Sequence, residues 1–353
     1  MRGSKRLFYI VLLALSALIA GQSWAWWSWA KSPVLAADEA DENSFVQIQI
    51  PEGTASNQIG QDLEANNLIN STLAWKLLSR WKSFRGEEGG FQAGSYVISP
   101  SQSLGEIADT IWEGNVVQTS FTVPEGWNRE QMADMFEAEG FTTAEEFLAV
   151  TASIPYDRYP WLPEGIPHLE GFLYPDTYQL DAGGVTAEGI VDTMLRRFET
   201  VALPVYDSQP SPNSMIDRVT HSSIVEKEAV VAEERDEIAG VFSRRLDEGI
   251  TLGSDPTVEY GLGIRQTKEE PLTYAQVEEQ TPYNTYINAG LTPTPIASPG
   301  VASLEASLNP EPSEYLYFVA RYDGTHVFSR TLDDHIAAQG QIRDRVDAET
   351  FYN

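Results

Sequence analysis

The chain runs to 353 residues with no cysteine and a formal net charge of −29 at pH 7. Lack of cysteine excludes disulfides, thiol nucleophiles and thiolate metal sites, and so acidic a chain argues against nucleic acid as a partner, since phosphate backbones are bound by Lys and Arg displacing counterions. Hydrophobic residues at 42% and aromatics at 11% are enough for two or three packed domains, while His168, His221, His326 and His335 are scattered without metal-ligand spacing.

Residues 7–30 carry no charged side chain. As a helix rising ~1.5 Å per residue they are long enough to cross ~30 Å of hydrocarbon. Arg2, Lys5 and Arg6 precede the span, and the chain turns acidic at Asp38-Glu39-Ala40-Asp41-Glu42. That asymmetry predicts a single-pass anchor with a cytoplasmic N-terminus and everything downstream outside. Ser23-Trp24-Ala25 also fits a signal-peptide cleavage site. Trp24, Trp26, Trp27 and Trp29, placed as an interfacial aromatic belt, favour the retained anchor.

Residues 1–31 are therefore read as cytoplasmic tip and anchor, and 32–43 as a charged linker. An internal echo follows, in which Ile50-Pro51-Glu52-Gly53 is matched 73 residues later by Val123-Pro124-Glu125-Gly126, Leu63-Glu64-Ala65 by Phe136-Glu137-Ala138 and Leu68 by Phe141. Two copies predict two small α/β units rather than a solenoid. In the first, Val46, Ile48 and Ile50 alternate as a half-buried strand, and Thr54 or Ser56 can cap a helix carrying Ile59, Leu63 and Leu68. A second helix holds Leu73, Trp75, Leu77, Leu78 and Trp81, and Tyr96-Val97-Ile98 returns as a strand. Over residues 44–117 this order resembles a LysM-like module, a fold often associated with glycan binding; a plain spacer is the competing reading.

The remainder, 118–353, reads as a second domain of mixed α+β class. Leu169-Glu170-Gly171 to Pro175-Asp176 is an apolar run bounded by turns. Residues 182–213, with Pro204, Pro210 and Pro212, read as helix and then loop. From Met215 the chain is helical until Gly249, then loop-rich to Gly300. Tyr317 and Val319 alternate as a strand whose hairpin partner includes Val327-Phe328, after Asp323-Gly324.

Two carboxylates sit on the 215 helix at Glu226-Lys227-Glu228. At ~100° per residue Met215, Val219, Glu226 and Val230 form an apolar stripe, with Glu228 almost opposite near His221 and Ile224. Residues at i and i+2 cannot face one another, so the two glutamates do different jobs. Periodicity does not say which is an acid, and it leaves open whether the helix continues past Ala229. Downstream, Ser254-Asp255-Pro256-Thr257 and Tyr260 read either as an Asx-turn or as polar partners along a cleft. Tyr283-Asn284-Thr285-Tyr286 reads either as a strand or as two rings able to stack on sugar faces around an amide and a hydroxyl. Pro293, Pro295, Pro299 and Gly300 stiffen the loop that follows.

The order and wording of these blocks, from Glu226-Lys227-Glu228 through Ser254-Asp255-Pro256-Thr257 and Tyr283-Asn284-Thr285-Tyr286 to Ile296-Ala-Ser-Pro-Gly300, resemble the membrane-anchored endolytic murein transglycosylases, or YceG-like proteins. The resemblance covers most of the chain and is strongest over residues 222–335. It departs at Ala229, where many relatives carry a hydroxyl, and at Gly290-Leu-Thr-Pro-Thr-Pro295, where Gly-Leu-Pro-Pro is common. It implies a catalytic acid within the triplet, with Glu228 favoured over Glu226, and Ser254, Asp255, Thr257, Tyr260, Tyr283, Asn284, Thr285 and Tyr286 along a glycan cleft. It implies no cofactor and no metal. The implied reaction cuts the bond between N-acetylmuramic acid and N-acetylglucosamine in nascent peptidoglycan strands, leaving 1,6-anhydro ends and terminating elongation. Peptidoglycan, the inner membrane and cell-wall synthases are the implied partners, with the catalytic domain on the extracytoplasmic, periplasmic side. The competing expectation is a non-catalytic, peptidoglycan-binding scaffold of the wall-synthesis machinery.

Overall fold

The computed structural model describes residues 2–36, 44–85, 90–114, 118–181, 185–208, 213–267, 270–310, 312–321 and 323–352. The acidic run 38–42, most of the expected linker, and Pro210 and Pro212 lie outside the described residues. Two compact units emerge, one of residues 1–120 with 179–185, the other of 121–178 with 186–353.

The first unit opens with helix α1 (Arg2–Lys31), of which Ile10–Lys31 is long and apolar enough to span a membrane. Its last turns are not isolated. Ala30 is buried and Trp26 and Trp27 pack against the unit's core. The expected linker also begins fixed to this unit, because Val34 and Leu35 N–H groups both donate to the Pro100 carbonyl at 3.0 Å. Strand β1 (Val46–Ile50), helices α2 (Ser56–Ala65) and α3 (Thr72–Phe84), strand β2 (Gly94–Ile98) and helix α4 (Leu104–Glu113) follow. β1 and β2 pair antiparallel, with Val46 opposite Ile98 and Ile50 opposite Gly94. The core is Ile59, Leu63, Leu68, Trp75, Tyr96, Ile98 and Ile107, all essentially buried. The Trp75 ring packs directly against Gly60, where a Cβ would meet it, and donates its indole N–H to the Ser56 carbonyl at 2.7 Å, which locks α3 onto α2.

The echo in the sequence is an echo in structure. Strand β3 (Gln118–Thr122), helices α5 (Arg129–Ala138) and α6 (Ala144–Ala152) and strand β4 (Thr177–Asp181), which pairs with β3, repeat the order of β1 to β2. Gly53 and Gly126 both turn the chain with φ of 78° and 75°, a left-handed conformation that glycine adopts without a Cβ penalty. The N–H of Leu68 closes on the Leu63 carbonyl, and that of Phe141 on the Phe136 carbonyl, each at 2.9 Å. Phe121, Phe136 and Phe147 form the second copy's aromatic core, with ring centroids 5.0 and 4.9 Å apart.

The larger unit continues with α7 (Ala187–Ser208), α8 (Met215–Glu228), α9 (Arg235–Glu248), α10 (Asp255–Leu262), the short α11 (Tyr274–Val277) and α12 (Val301–Leu308). A hairpin of β5 (Tyr317–Ala320) and β6 (His326–Ser329) pairs Tyr317 with Ser329, and α13 (Leu332–Tyr352) closes the chain. Two expectations change here. The stretch after Gly249 contains a helix, α10, because Pro256 falls in its first turn, where a missing N–H costs nothing. The 215 helix stops at Glu228, with Ala229 extended at ψ 96°. Val230 therefore leaves the expected apolar stripe and is 71% exposed.

Candidate active site

Helix α8 starts on a capping box between Ser214 and Asp217 and is buried on all sides from Val219 to Val225. Its two serines tolerate this because their hydroxyls turn back onto the helix. Ser222 donates to the Arg218 carbonyl at 2.8 Å and Ser223 to the Thr220 carbonyl at 2.7 Å, while Ser223 also accepts the Ile296 N–H at 3.1 Å. A helix buried all round has no single apolar stripe, so the expected stripe through Met215, Val219, Glu226 and Val230 does not mark its buried face.

The structure separates them by what they touch. Glu226 is half-buried and accepts the Gly300 N–H at 3.1 Å, at the start of α12. It thereby satisfies an orphan donor at a helix N-terminus, where a carboxylate is favoured. The Glu125 carboxyl, in the turn of the second repeat, lies directly against Gly300, where an added Cβ would meet it. Burial and the neighbouring Glu226 charge raise the Glu125 acid above its ordinary value. Lys227 reaches the Gly126 carbonyl at 3.3 Å and Gly126 packs beside the Glu226 side chain, so the turn Pro124-Glu125-Gly126 is tied to the triplet.

Glu228 ends the helix. It keeps some exposed surface, yet protein atoms surround its carboxyl, and this desolvation pushes the acid up to about 7. The negative charges of Asp255 and Glu259 push the same way. The Ser254 hydroxyl, which donates to Glu228 Oε1 at 2.6 Å, and the positive charge of Arg245 oppose them. Ser254 is the N-cap residue of α10, yet its side chain makes no capping bond. The hydroxyl that normally caps a helix is given to a carboxyl 26 residues upstream.

Ser254 is held for this task by its neighbours. Its N–H donates to Thr285 Oγ1 at 3.0 Å, its carbonyl accepts the Thr257 hydroxyl at 2.6 Å, and Thr257 and Thr285 hydroxyls share a bond at 2.8 Å. Asn284 is fully buried, donating to the Val277 and Glu279 carbonyls at 2.8 Å and accepting the Tyr286 N–H at 2.9 Å. Thr257, Asn284 and Thr285 thus shape the loop that presents Ser254, with their hydrogen bonds spent inside the protein. Residues 281–286 form turns, not a strand.

Of the eight expected cleft residues, four retain accessible surface. Asp255 accepts the Tyr286 hydroxyl at 2.6 Å, and Tyr286 is 39% exposed. Tyr260 and Tyr283 are half-buried, with ring centroids 4.9 Å apart. Tyr260 leads to a residue that sequence reading did not single out. Its hydroxyl donates at 3.1 Å to Glu170, a carboxylate only 1% exposed that also accepts the Arg129 N–H at 3.1 and 3.2 Å. Burial raises Glu170 to about 7 against the pull of those hydrogen bonds and of the Arg129 charge. The available signal was one carboxylate inside the apolar run Leu169 to Tyr174.

A desolvated acid raised to about 7, hydrogen-bonded by a fixed hydroxyl and with the Asp255–Tyr286 pair beside it, is a candidate general acid/base site. The model of the YceG-like family matches residues 48–341, and the chain belongs to that family. It is 32% identical over 316 residues to a Bacillus subtilis (strain 168) protein named endolytic murein transglycosylase, covering 85% of this chain and 86% of that one. A protein of the same name from Streptococcus pneumoniae (strain D39) is 29% identical over 357 residues, which span 93% of this chain and 64% of the relative. The 2.6 Å crystal structure of a YceG-like protein from Listeria monocytogenes aligns with TM-score 0.55 at 32% identity, covering 83% of this chain and 99% of that one.

Proposed function

We propose that this protein is an endolytic lytic transglycosylase of peptidoglycan, with Glu228 as its acid and base. The observation that carries the reading is the Glu228 carboxyl, raised to about 7 by burial and bonded to Ser254. A group titrating there can start protonated and end as a base at the same pH. Protonated Glu228 gives its hydrogen to the glycosidic oxygen as the bond from that oxygen to C1 of N-acetylmuramic acid breaks. The resulting carboxylate takes the proton of the sugar's own C6 hydroxyl, whose oxygen bonds to C1. A 1,6-anhydro end and a free N-acetylglucosamine hydroxyl result, and no water is consumed. Hydrolases with two carboxylates employ the second as nucleophile or base; here the substrate supplies the nucleophile.

Asp255, Tyr260, Tyr283 and Tyr286 line the glycan path in this reading, and Thr257, Asn284 and Thr285 hold the loop that carries Ser254. α1 anchors the enzyme in the plasma membrane with the N-terminus in the cytoplasm. The unit of β1 to α4 is a LysM-like, glycan-associated module, and cutting nascent strands beside synthases ends their elongation. Digestion of peptidoglycan by the wild type and by Glu228→Gln tests the assignment. Wild type yields fragments lighter by one water than hydrolysis products, and the variant yields none. Anhydro products from the variant at the wild-type rate would remove Glu228 from the role.

A further inference from the structure

Helix α3 turns an apolar stripe outward. Leu73, Leu77, Trp81 and Phe84 are exposed by 56, 45, 51 and 90%, whereas Ala74, Trp75 and Ser79 are buried. At ~100° per residue the four fall within about 80° of the helix circumference. Lys76 and Arg80 border the stripe on one side and Arg85 on the other, all exposed, and the Arg85 guanidinium lies 4.4 Å from the Trp81 ring centroid. Lys82 turns inward to Asp109 at 2.6 Å. In a chain with 52 acidic and 23 basic residues, this helix has no Asp or Glu. An apolar face of Trp, Phe and Leu edged by Lys and Arg is the pattern of a helix lying in a membrane interface.

The fold also brings α3 to the end of α1. Asn70, two residues before α3, donates to the Ser32 carbonyl at 2.8 Å and to the Trp29 carbonyl at 3.2 Å. Residues 7–24 rise about 27 Å as a helix, close to a ~30 Å hydrocarbon core. The turns beyond them, with Trp26, Trp27 and Ala30, are already packed in the unit's core. The head of α3 therefore lies at headgroup level wherever α1 spans a bilayer.

We infer that α3 is a second membrane contact. Its stripe of Leu73, Leu77, Trp81 and Phe84 docks on the lipid surface around the exit of α1, and Lys76, Arg80 and Arg85 select anionic lipid. The inference rests on α1 being a membrane span. Its consequence is that the first unit is held against the bilayer rather than swinging on a stalk.

The chain's lack of cysteine permits a direct test. Full-length Leu15→Cys, Phe84→Cys and Gln61→Cys variants, each labelled with a nitrobenzoxadiazole, are placed in nanodiscs of phosphatidylglycerol and phosphatidylcholine. Leu15 reports the span, and Gln61, exposed on α2, is the control. Quenching by nitroxide lipid at Phe84 should exceed that at Gln61 at least about threefold. Combining Lys76→Glu, Arg80→Glu and Arg85→Glu should at least halve the Phe84 signal on anionic discs only. Leu15 quenched with Phe84 no different from Gln61 overturns the docking and leaves the anchor standing. Leu15 unquenched overturns both. A Phe84 label shielded from lipid nitroxide and from aqueous dithionite alike means that protein covers the stripe, which also overturns the proposal. A signal indifferent to the charge reversals removes the anionic selectivity.

Discussion

Ser254 and Glu226 show how much a single hydrogen bond decides. The Ser254 hydroxyl donates to Glu228 and so favours its charged form. Ser254→Ala removes that pull, leaves the burial and the Asp255 and Glu259 charges in place, and makes the acid weaker still. The alkaline limb of the activity profile should move to higher pH by roughly half a unit to one unit, read from kcat/KM across pH 5–9. A limb that stays or moves down would mean the hydroxyl does not act on this carboxyl. Stability should change little through helix capping, since this N-cap side chain makes no capping bond. Glu226 gives the opposite pattern. Glu226→Ala leaves the Gly300 N–H unpaired and should cost about 1–3 kcal/mol by denaturant unfolding, while the pH limb of the residual activity stays where it was. A shifted limb would make Glu226 part of the acid.

Between residues and fold, the repeat is the feature most legible in the sequence, because glycine with positive φ and the spacing of buried positions are both local. Gly53 and Gly126 are matched in dihedral angle but not in surroundings. A Cβ at Gly53 meets nothing within 4 Å, whereas at Gly126 it would lie 3.6 Å from Glu226 and 3.7 Å from Lys227. Gly53→Ala and Gly126→Ala should each cost about 1–2 kcal/mol in backbone strain, measured by chemical denaturation. Only Gly126→Ala should also lower kcat, because its turn abuts the Glu226-Lys227-Glu228 segment. Equal effects on kcat would detach the second repeat from the chemistry.

What sequence could not reveal at this scale were long-range pairings of polar groups. Thr257, Asn284 and Thr285 have the chemistry of sugar partners, and nothing local tells that their bonds close on Ser254 and on nearby carbonyls. The same blindness hid Glu170, whose partners Arg129 and Tyr260 are 41 and 90 residues away. Helix α8 defeated the wheel because it is buried all round, and α10 was hidden by a proline read as a turn.

At the scale of the molecule, Glu228 and Glu170, whose carboxyls are raised to about 7, couple stability to pH. Each has an ordinary value of 4.5, so between about 4.5 and 7 the folded state holds protons that the unfolded chain has released. Stability is therefore fully present below that window and falls as pH rises through it. A shift of that size corresponds to about 3 kcal/mol for the fully buried Glu170, and to less for Glu228 with its residual exposure. The chain's net charge of −29 adds self-repulsion in the same direction. Glu228→Gln and Glu170→Gln remove the titrating groups while keeping their shape. Urea unfolding of the larger unit should show wild type losing stability from pH 5 to pH 8 and each variant losing less. Glu228→Gln should then be more stable than wild type at pH 8 although it is inactive. In Glu170→Gln the amide oxygen can take the place of Oε2, which accepts both the Tyr260 hydroxyl and the Arg129 N–H, so the variant should retain activity while flattening the slope. Wild-type stability that is level across this range, or a Glu228→Gln slope equal to that of wild type, would mean that the Glu228 carboxyl is ionised at neutral pH and cannot open the reaction as an acid.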